Sequence, residues 1–155
     1  MQTKLVILFT PKENKMLKGI PKIISPDLIK TLMEMGHGDE IALVDGNFPA
    51  ASMAKRLVRL DGHDMPGLLE AVLEFFPLDA YVDKAAAIMA VVPGDTYVPK
   101  MPGIFRDIIA THDSNAQIEE MERFAFYQRA KNAYAIVATG EIAQYANIIL
   151  IKGIV

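Results

Sequence analysis

The sequence predicts a single-domain α/β fold, three layers deep, with a mixed, largely parallel sheet between helices. Three observations point there. Short apolar runs of strand length alternate with segments whose apolar residues recur at helical spacing. Glycine, proline and aspartate punctuate the boundaries between them. The 155 residues suit one core, and they show no internal repeat, low-complexity stretch or linker.

Taken in order, Ser25-Pro26-Asp27 predicts a helix start, with serine as N-cap, proline at the first helical position and an acid in the first turn. Leu28, Leu32 and Met35 then fall on one face, and Gly36 is the expected C-cap. Ile41 to Val44 has strand length and ends at Asp45-Gly46; Leu57 to Leu60 repeats the pattern and ends at Asp61-Gly62. Asp64 can cap a second helix, carried by Leu68, Leu69, Val72, Leu73 and Phe76 and stopped by Pro77. Ala86 to Val92 is continuous enough for a buried strand, closed by Pro93-Gly94-Asp95. A helix is expected over Pro102 to Ala110, with Ile104, Phe105, Ile108 and Ile109 inward. Another is expected over Glu119 to Asn132, where Glu119 and Arg123 could pair at i, i+4. Tyr134 to Ala138 and Asn147 to Ile151 are the closing strands.

Residues 1–15 read as an extension to the domain at 16–155. The apolar run Leu5 to Phe9 is too short for a secretory core or a membrane span. An extra edge strand, a tail, or a chain that properly starts at Met16 would each account for it.

Composition excludes several classes. Sixteen Lys and Arg against nineteen Asp and Glu give a formal charge of −3, so no basic surface for nucleic acid or an anionic membrane is expected. With no cysteine, disulfides, thiolate metal sites and a cysteine nucleophile are excluded, and a cytoplasmic setting is expected. Phosphate-loop, dinucleotide-binding and nucleophile-elbow motifs are missing. His37, His63 and His112 have no metal-ligand spacing. No cofactor and no metal are expected.

What remains is polar chemistry at element ends, where α/β folds bind ligands. His37 sits in Gly36-His37-Gly38-Asp39, Asp45 at the end of a strand, and Tyr145-Ala146-Asn147 just before the last one. Each has an ordinary structural alternative: turn residues for His37 and Asp45, a half-buried tyrosine, a strand-end amide, and for Arg123 a surface ion pair with Glu119.

The segment Ile24 to Ile41, continuing to Asp45 and Phe48-Pro49-Ala50, resembles the L-fucose mutarotase family. So do Arg123-Phe-Ala-Phe-Tyr127, Thr139-Gly-Glu141, Tyr145 to Leu150 and Lys152-Gly153, in the same order and spacing. The related D-ribose pyranases share the first and last blocks. The resemblance spans residues 16–155 and implies a cofactor-independent isomerase that exchanges the anomers of a free monosaccharide. It implies His37 as the catalytic acid and Asp45, Arg123, Tyr145, Ala146 and Asn147 as sugar-binding positions. Arginine at 123, where ribose pyranases tend to carry histidine, implies L-fucose over D-ribose. A homo-oligomer, a decamer of stacked pentamers, is implied too. Ring opening needs one proton delivered to the ring oxygen and one removed from the anomeric hydroxyl, a task histidine suits near neutral pH.

Overall fold

Ser25 opens the first helix as its position predicts. Its side-chain oxygen accepts from the Leu28 N–H at 3.1 Å, satisfying one of the donors that a helix start leaves orphaned. The computed structural model describes residues 16–155, so the readings of residues 1–15 lie outside the described residues. Helix α1 spans Pro26–Glu34 and buries Leu28 and Leu32. Its end departs from expectation: Gly36 is not left-handed, and the helix stops on extended Met35. Met35 turns into the core, while Asp39 accepts the Gly36 N–H at 2.7 Å. The left-handed turn falls instead on Gly38, at φ +86°, a conformation that favours glycine.

Strand β1 (Glu40–Val44) leads to an unexpected single-turn helix, α2 (Ala50–Met53), and to β2 (Leu57–Leu60). Helix α3 (Met65–Leu73) starts on Asp64, which caps the Gly67 N–H at 2.9 Å. Strand β3 (Ala86–Met89) is shorter than its apolar run, because the chain leaves the sheet after Met89 to form a loop. Helix α4 (Met101–His112) buries Phe105 and Ile109, but Ile104 faces outward.

The largest correction lies between residues 118 and 123. Ile118–Met121 is a strand, β4, paired in parallel with β3, and helix α5 runs only over Arg123–Asn132. Sheet pairing overrides helical spacing here, and Glu122 becomes the cap, accepting from the Phe124 and Ala125 N–H groups. The expected Glu119–Arg123 pair therefore does not form. Glu119 instead meets Arg129, which also grips Glu40 at 2.8 Å. Strands β5 (Ala135–Thr139) and β6 (Ile148–Ile151) complete the fold.

The sheet order is β2-β5-β1-β6-β3-β4. Only β6 runs antiparallel, against β1 on one side and β3 on the other; the remaining pairs are parallel. Strand alternation divides the core into two. Ile41, Leu43, Val137, Ile148 and Leu150 pack with residues of α1, α3 and α4. Ala42, Val44, Ile136, Ala138 and Ile149 pack with α2 and α5 through Ala50, Phe126 and Ala130. This is the mixed, largely parallel three-layer α/β fold that the sequence predicts. Burial of both faces explains why the central strands read as unbroken apolar runs.

Candidate functional site

One antiparallel strand in a parallel sheet brings unlike chain ends together. The start of β6 lies beside the carboxyl ends of β1 and β3, so Tyr145-Ala146-Asn147 is delivered next to Asp45. A crevice at such a place is where open α/β sheets take ligands.

Asp45 is the anchor. It is buried, yet both of its carboxylate oxygens are engaged: Oδ1 accepts the Asn47 N–H at 3.0 Å and Oδ2 the Ala146 N–H at 3.3 Å. Burial pushes its carboxyl above the usual range, against the pull of those backbone donors. Asn147 completes the clasp, its side-chain oxygen accepting the Asp45 N–H at 2.8 Å. That bond fixes the amide's orientation, so its NH₂ donors are left for a ligand. Ala146 is fully buried and contributes its backbone rather than a wall.

Asp45 and Asn147 line a cavity of about 180 Å³ with Arg123, Tyr127, Tyr145 and Phe48. Arg123 is the first residue of α5, placed there by the Glu122 cap. Its guanidinium carbon lies 5.3 Å from the Phe124 ring and 5.4 Å from the Tyr127 ring, within cation–π range. Met89 and Val92, at the end of β3 and beyond, supply apolar wall, and Gln144 a further amide. A carboxylate, three amides (Asn47, Gln144 and Asn147), a guanidinium and two phenols beside aromatic carbon form a setting for a small polyhydroxylated ligand. Among the described residues no group of His, Asp and Glu has metal-site geometry.

Five sequence candidates thus meet at one site; the sixth does not. His37 precedes β1 while Asp45 follows it. A five-residue strand at about 3.3 Å per residue holds them roughly 16 Å apart. His37 is exposed near the opposite end of that central strand, with Nε2 3.1 Å from Asp79 Oδ1. Asp79 is itself buried, and it also accepts the Tyr81 N–H at 3.0 Å. The Tyr81 N–H, and then His37, hold its carboxyl below the usual range. The Tyr81 ring lies 5.5 Å from the imidazole.

Asp79 and Asp95 carry no motif that marks them in the sequence. Asp79 follows Pro77-Leu78 without any pattern, and Asp95 reads only as the end of a Pro-Gly-Asp turn. Phe48, buried in the core, and Tyr127, packed against it, both line the cavity from within the resembling blocks, but nothing local separates them from other core aromatics.

The model of the RbsD / FucU transport protein family matches residues 18–155. The chain belongs to this family. Its RbsD / FucU relatives include an L-fucose mutarotase of Actinobacillus pleuropneumoniae, 49% identical over 140 residues, covering 90% of this chain and 97% of that one. A fucose mutarotase of Mus musculus is 49% identical over 143 residues, covering 88% and 94%. Among solved RbsD / FucU structures, the fucose mutarotase of Streptococcus pneumoniae in complex with L-fucose is similar. It superposes with a TM-score of 0.85 at 56% identity, covering 90% of this chain and 99% of that one.

Proposed function

We propose that this protein is a mutarotase that equilibrates the α and β anomers of free L-fucose. The observation that carries this reading is the convergence of Asp45, Asn147, Arg123 and Tyr145 on one small cavity, in a chain similar to fucose mutarotases over nearly its whole length.

The Asp45 carboxylate offers only acceptors, which suits sugar hydroxyls. Asn147 offers donors beside it. Arg123 supplies a planar donor fork for a pair of hydroxyl oxygens, and Phe48 and Tyr127 present carbon to the apolar face of the ring. Ring opening then requires an acid for the ring oxygen, and His37 is the proposed acid.

Because β1 separates His37 from the cavity of its own chain, the imidazole that serves a site comes from a second copy. Two features support this. His37 is exposed and oriented by Asp79, so it can project into a neighbour. Exposed apolar side chains border both ends of the arrangement, Tyr81 and Val82 near His37, Val91 and Phe124 near the cavity, as a contact between copies requires. A heterologous contact of this type makes a ring when the rotation between copies closes, and a decamer of stacked rings is the proposed assembly.

Exchange NMR on equilibrated L-fucose tests the reading. Wild type should transfer magnetisation between the two anomeric protons, and do so faster than with D-ribose anomers at equal concentration. Exchange at the buffer rate with both sugars would leave a sugar-binding protein without this activity.

A further inference from the structure

The Tyr145 hydroxyl already has its proton committed. It donates to Asp95 Oδ2 at 2.6 Å and accepts the Val92 N–H at 3.2 Å. A phenol has one proton to give, so toward the cavity it presents a lone pair and can only accept. Asp95 is fixed in turn. Its Oδ1 accepts the Tyr97 N–H at 2.9 Å, and the Tyr97 ring stacks over Tyr145 with centroids 6.2 Å apart and an 18° tilt. The backbone is bent to suit: Tyr145, at φ +57°, is the one non-glycine residue of positive φ among the described residues. Such strain recurs at functional sites.

We propose that Asp95 is a positioning residue for the ring-opening step. It holds the Tyr145 phenol as acceptor for the anomeric hydroxyl, and receives the phenol's proton as that hydroxyl gives up its own. The proposal rests on the mutarotase reading. In the step, the anomeric O–H bond breaks and its proton passes to the Tyr145 oxygen, while the phenol's original proton passes to Asp95 Oδ2. The freed electron pair forms the carbonyl at the anomeric carbon. The bond from that carbon to the ring oxygen breaks, and the ring oxygen keeps the pair and takes a proton from His37 of the second copy. A carboxylate and an imidazolium become a carboxylic acid and an imidazole, so charge balances and nothing is oxidised. Reclosure on the other face of the carbonyl returns both protons and yields the other anomer.

The electrostatics agree with this arrangement. The Asp95 hydrogen bond holds the Tyr145 phenol above its usual range, with Arg123 opposing it. The same bond, with the Tyr97 N–H, keeps the Asp95 carboxyl low and ionised. Asp45 is the other charged group lining the cavity. The phenol therefore enters the reaction protonated and the carboxylate ionised.

Anomer-exchange NMR on L-fucose with wild type, Asp95→Asn, Asp95→Glu, Tyr145→Phe and the Asp95→Asn/Tyr145→Phe pair tests the proposal. Asparagine keeps an acceptor for the phenol and for the Tyr97 turn but cannot take up a proton. The expected result is a kcat lowered by about 100-fold or more in Asp95→Asn, with KM within about threefold. Asp95→Glu should recover at least about tenfold over asparagine. The double variant should be no slower than Tyr145→Phe alone, because Asp95 acts through the phenol. A kcat in Asp95→Asn within about threefold of wild type, or losses that multiply in the double variant, would overturn the relay. Those outcomes leave an active wild type, whereas wild type at the buffer rate overturns the mutarotase reading and the relay with it.

Discussion

His37 and Asp45 stand at opposite ends of the same strand, one before Glu40 and the other after Val44. Each has its own support: Asp79 holds the imidazole at 3.1 Å, and the Asn47 and Ala146 amides hold the Asp45 carboxylate. A single chain therefore keeps the proposed acid and the proposed sugar pocket at opposite ends of one strand.

The first prediction concerns their reunion. His37→Ala should lower L-fucose anomer exchange by about 10²–10⁴ while leaving sugar binding intact. Asp45→Ala should be inactive through loss of binding. Co-expressed, the two inactive chains should regain activity, because roughly one site in four then pairs an intact cavity with an intact neighbouring His37. Exchange NMR on the mixed oligomer measures this. No recovery would place the imidazole's task within its own chain or elsewhere.

Asp79 predicts a pH signature. Its folded-state carboxyl sits low because the Tyr81 N–H and His37 favour the ionised form. A depressed carboxyl contributes stability that is present above the unfolded value of about 3.9 and is lost as pH falls through the lower folded value. The Tm of Asp79→Asn should therefore lie below wild type at neutral pH, with the gap closing below about pH 4. A gap constant from pH 7 to pH 3 would mean that Asp79 contributes shape and not charge. Anomer exchange should also slow in this variant, by less than in His37→Ala.

Gly140 is required by space. A Cβ there would lie 1.9 Å from the Asp61 carbonyl oxygen, and that neighbour is backbone, which cannot swing aside. Gly140→Ala should cost about 1–3 kcal/mol or more as an overpacked site. Gly62→Ala, with open space around the added carbon and no positive φ, should be nearly neutral. Thermal melts of the two variants side by side provide the comparison.

Arg129 ties α5 to two strands at once. Its Nε and Nη2 bind Glu40 of β1, and its Nη1 binds Glu119 of β4. The three side chains are only partly exposed, so screening is incomplete. Arg129→Met should destabilise by about 1–3 kcal/mol, the loss of hydrogen bonds to charged groups. Because α5 carries Arg123 and Tyr127, KM for L-fucose should rise as well. Urea titration and saturation kinetics test the two parts; an unchanged KM would mean that α5 holds its place without the clasp.

Most of the fold was legible because its signals are local. Ser25 and Asp64 cap the helices they were expected to cap, and Leu57–Leu60 is a strand over the expected residues. The failures are places where pairing at a distance outweighs local spacing. Residues 118–121 have helical spacing but border β3, and hydrogen bonds to that strand decide their state. Ile104 fits an apolar stripe, yet α4 meets the core through the other expected residues, Phe105 and Ile109, and leaves Ile104 outward. The end of α1 slipped because burial of Met35 and the Asp39–Gly36 bond, neither visible in a local pattern, move the left-handed turn to Gly38.

By itself the sequence determined the fold class and the chemical types available, since alternation, caps and the absence of cysteine are properties of neighbouring residues. It also named Asp45, Arg123, Tyr145, Ala146 and Asn147. The tertiary structure alone decided how these are used. The antiparallel β6 sets residues 145–147 against Asp45, a hundred positions away along the chain. The length of β1 separates His37 from them. The loop after β3 places Asp95 where it takes the proton of the Tyr145 hydroxyl in a hydrogen bond. Strand direction, strand length and loop path are collective outcomes of packing, and no short stretch of residues encodes them.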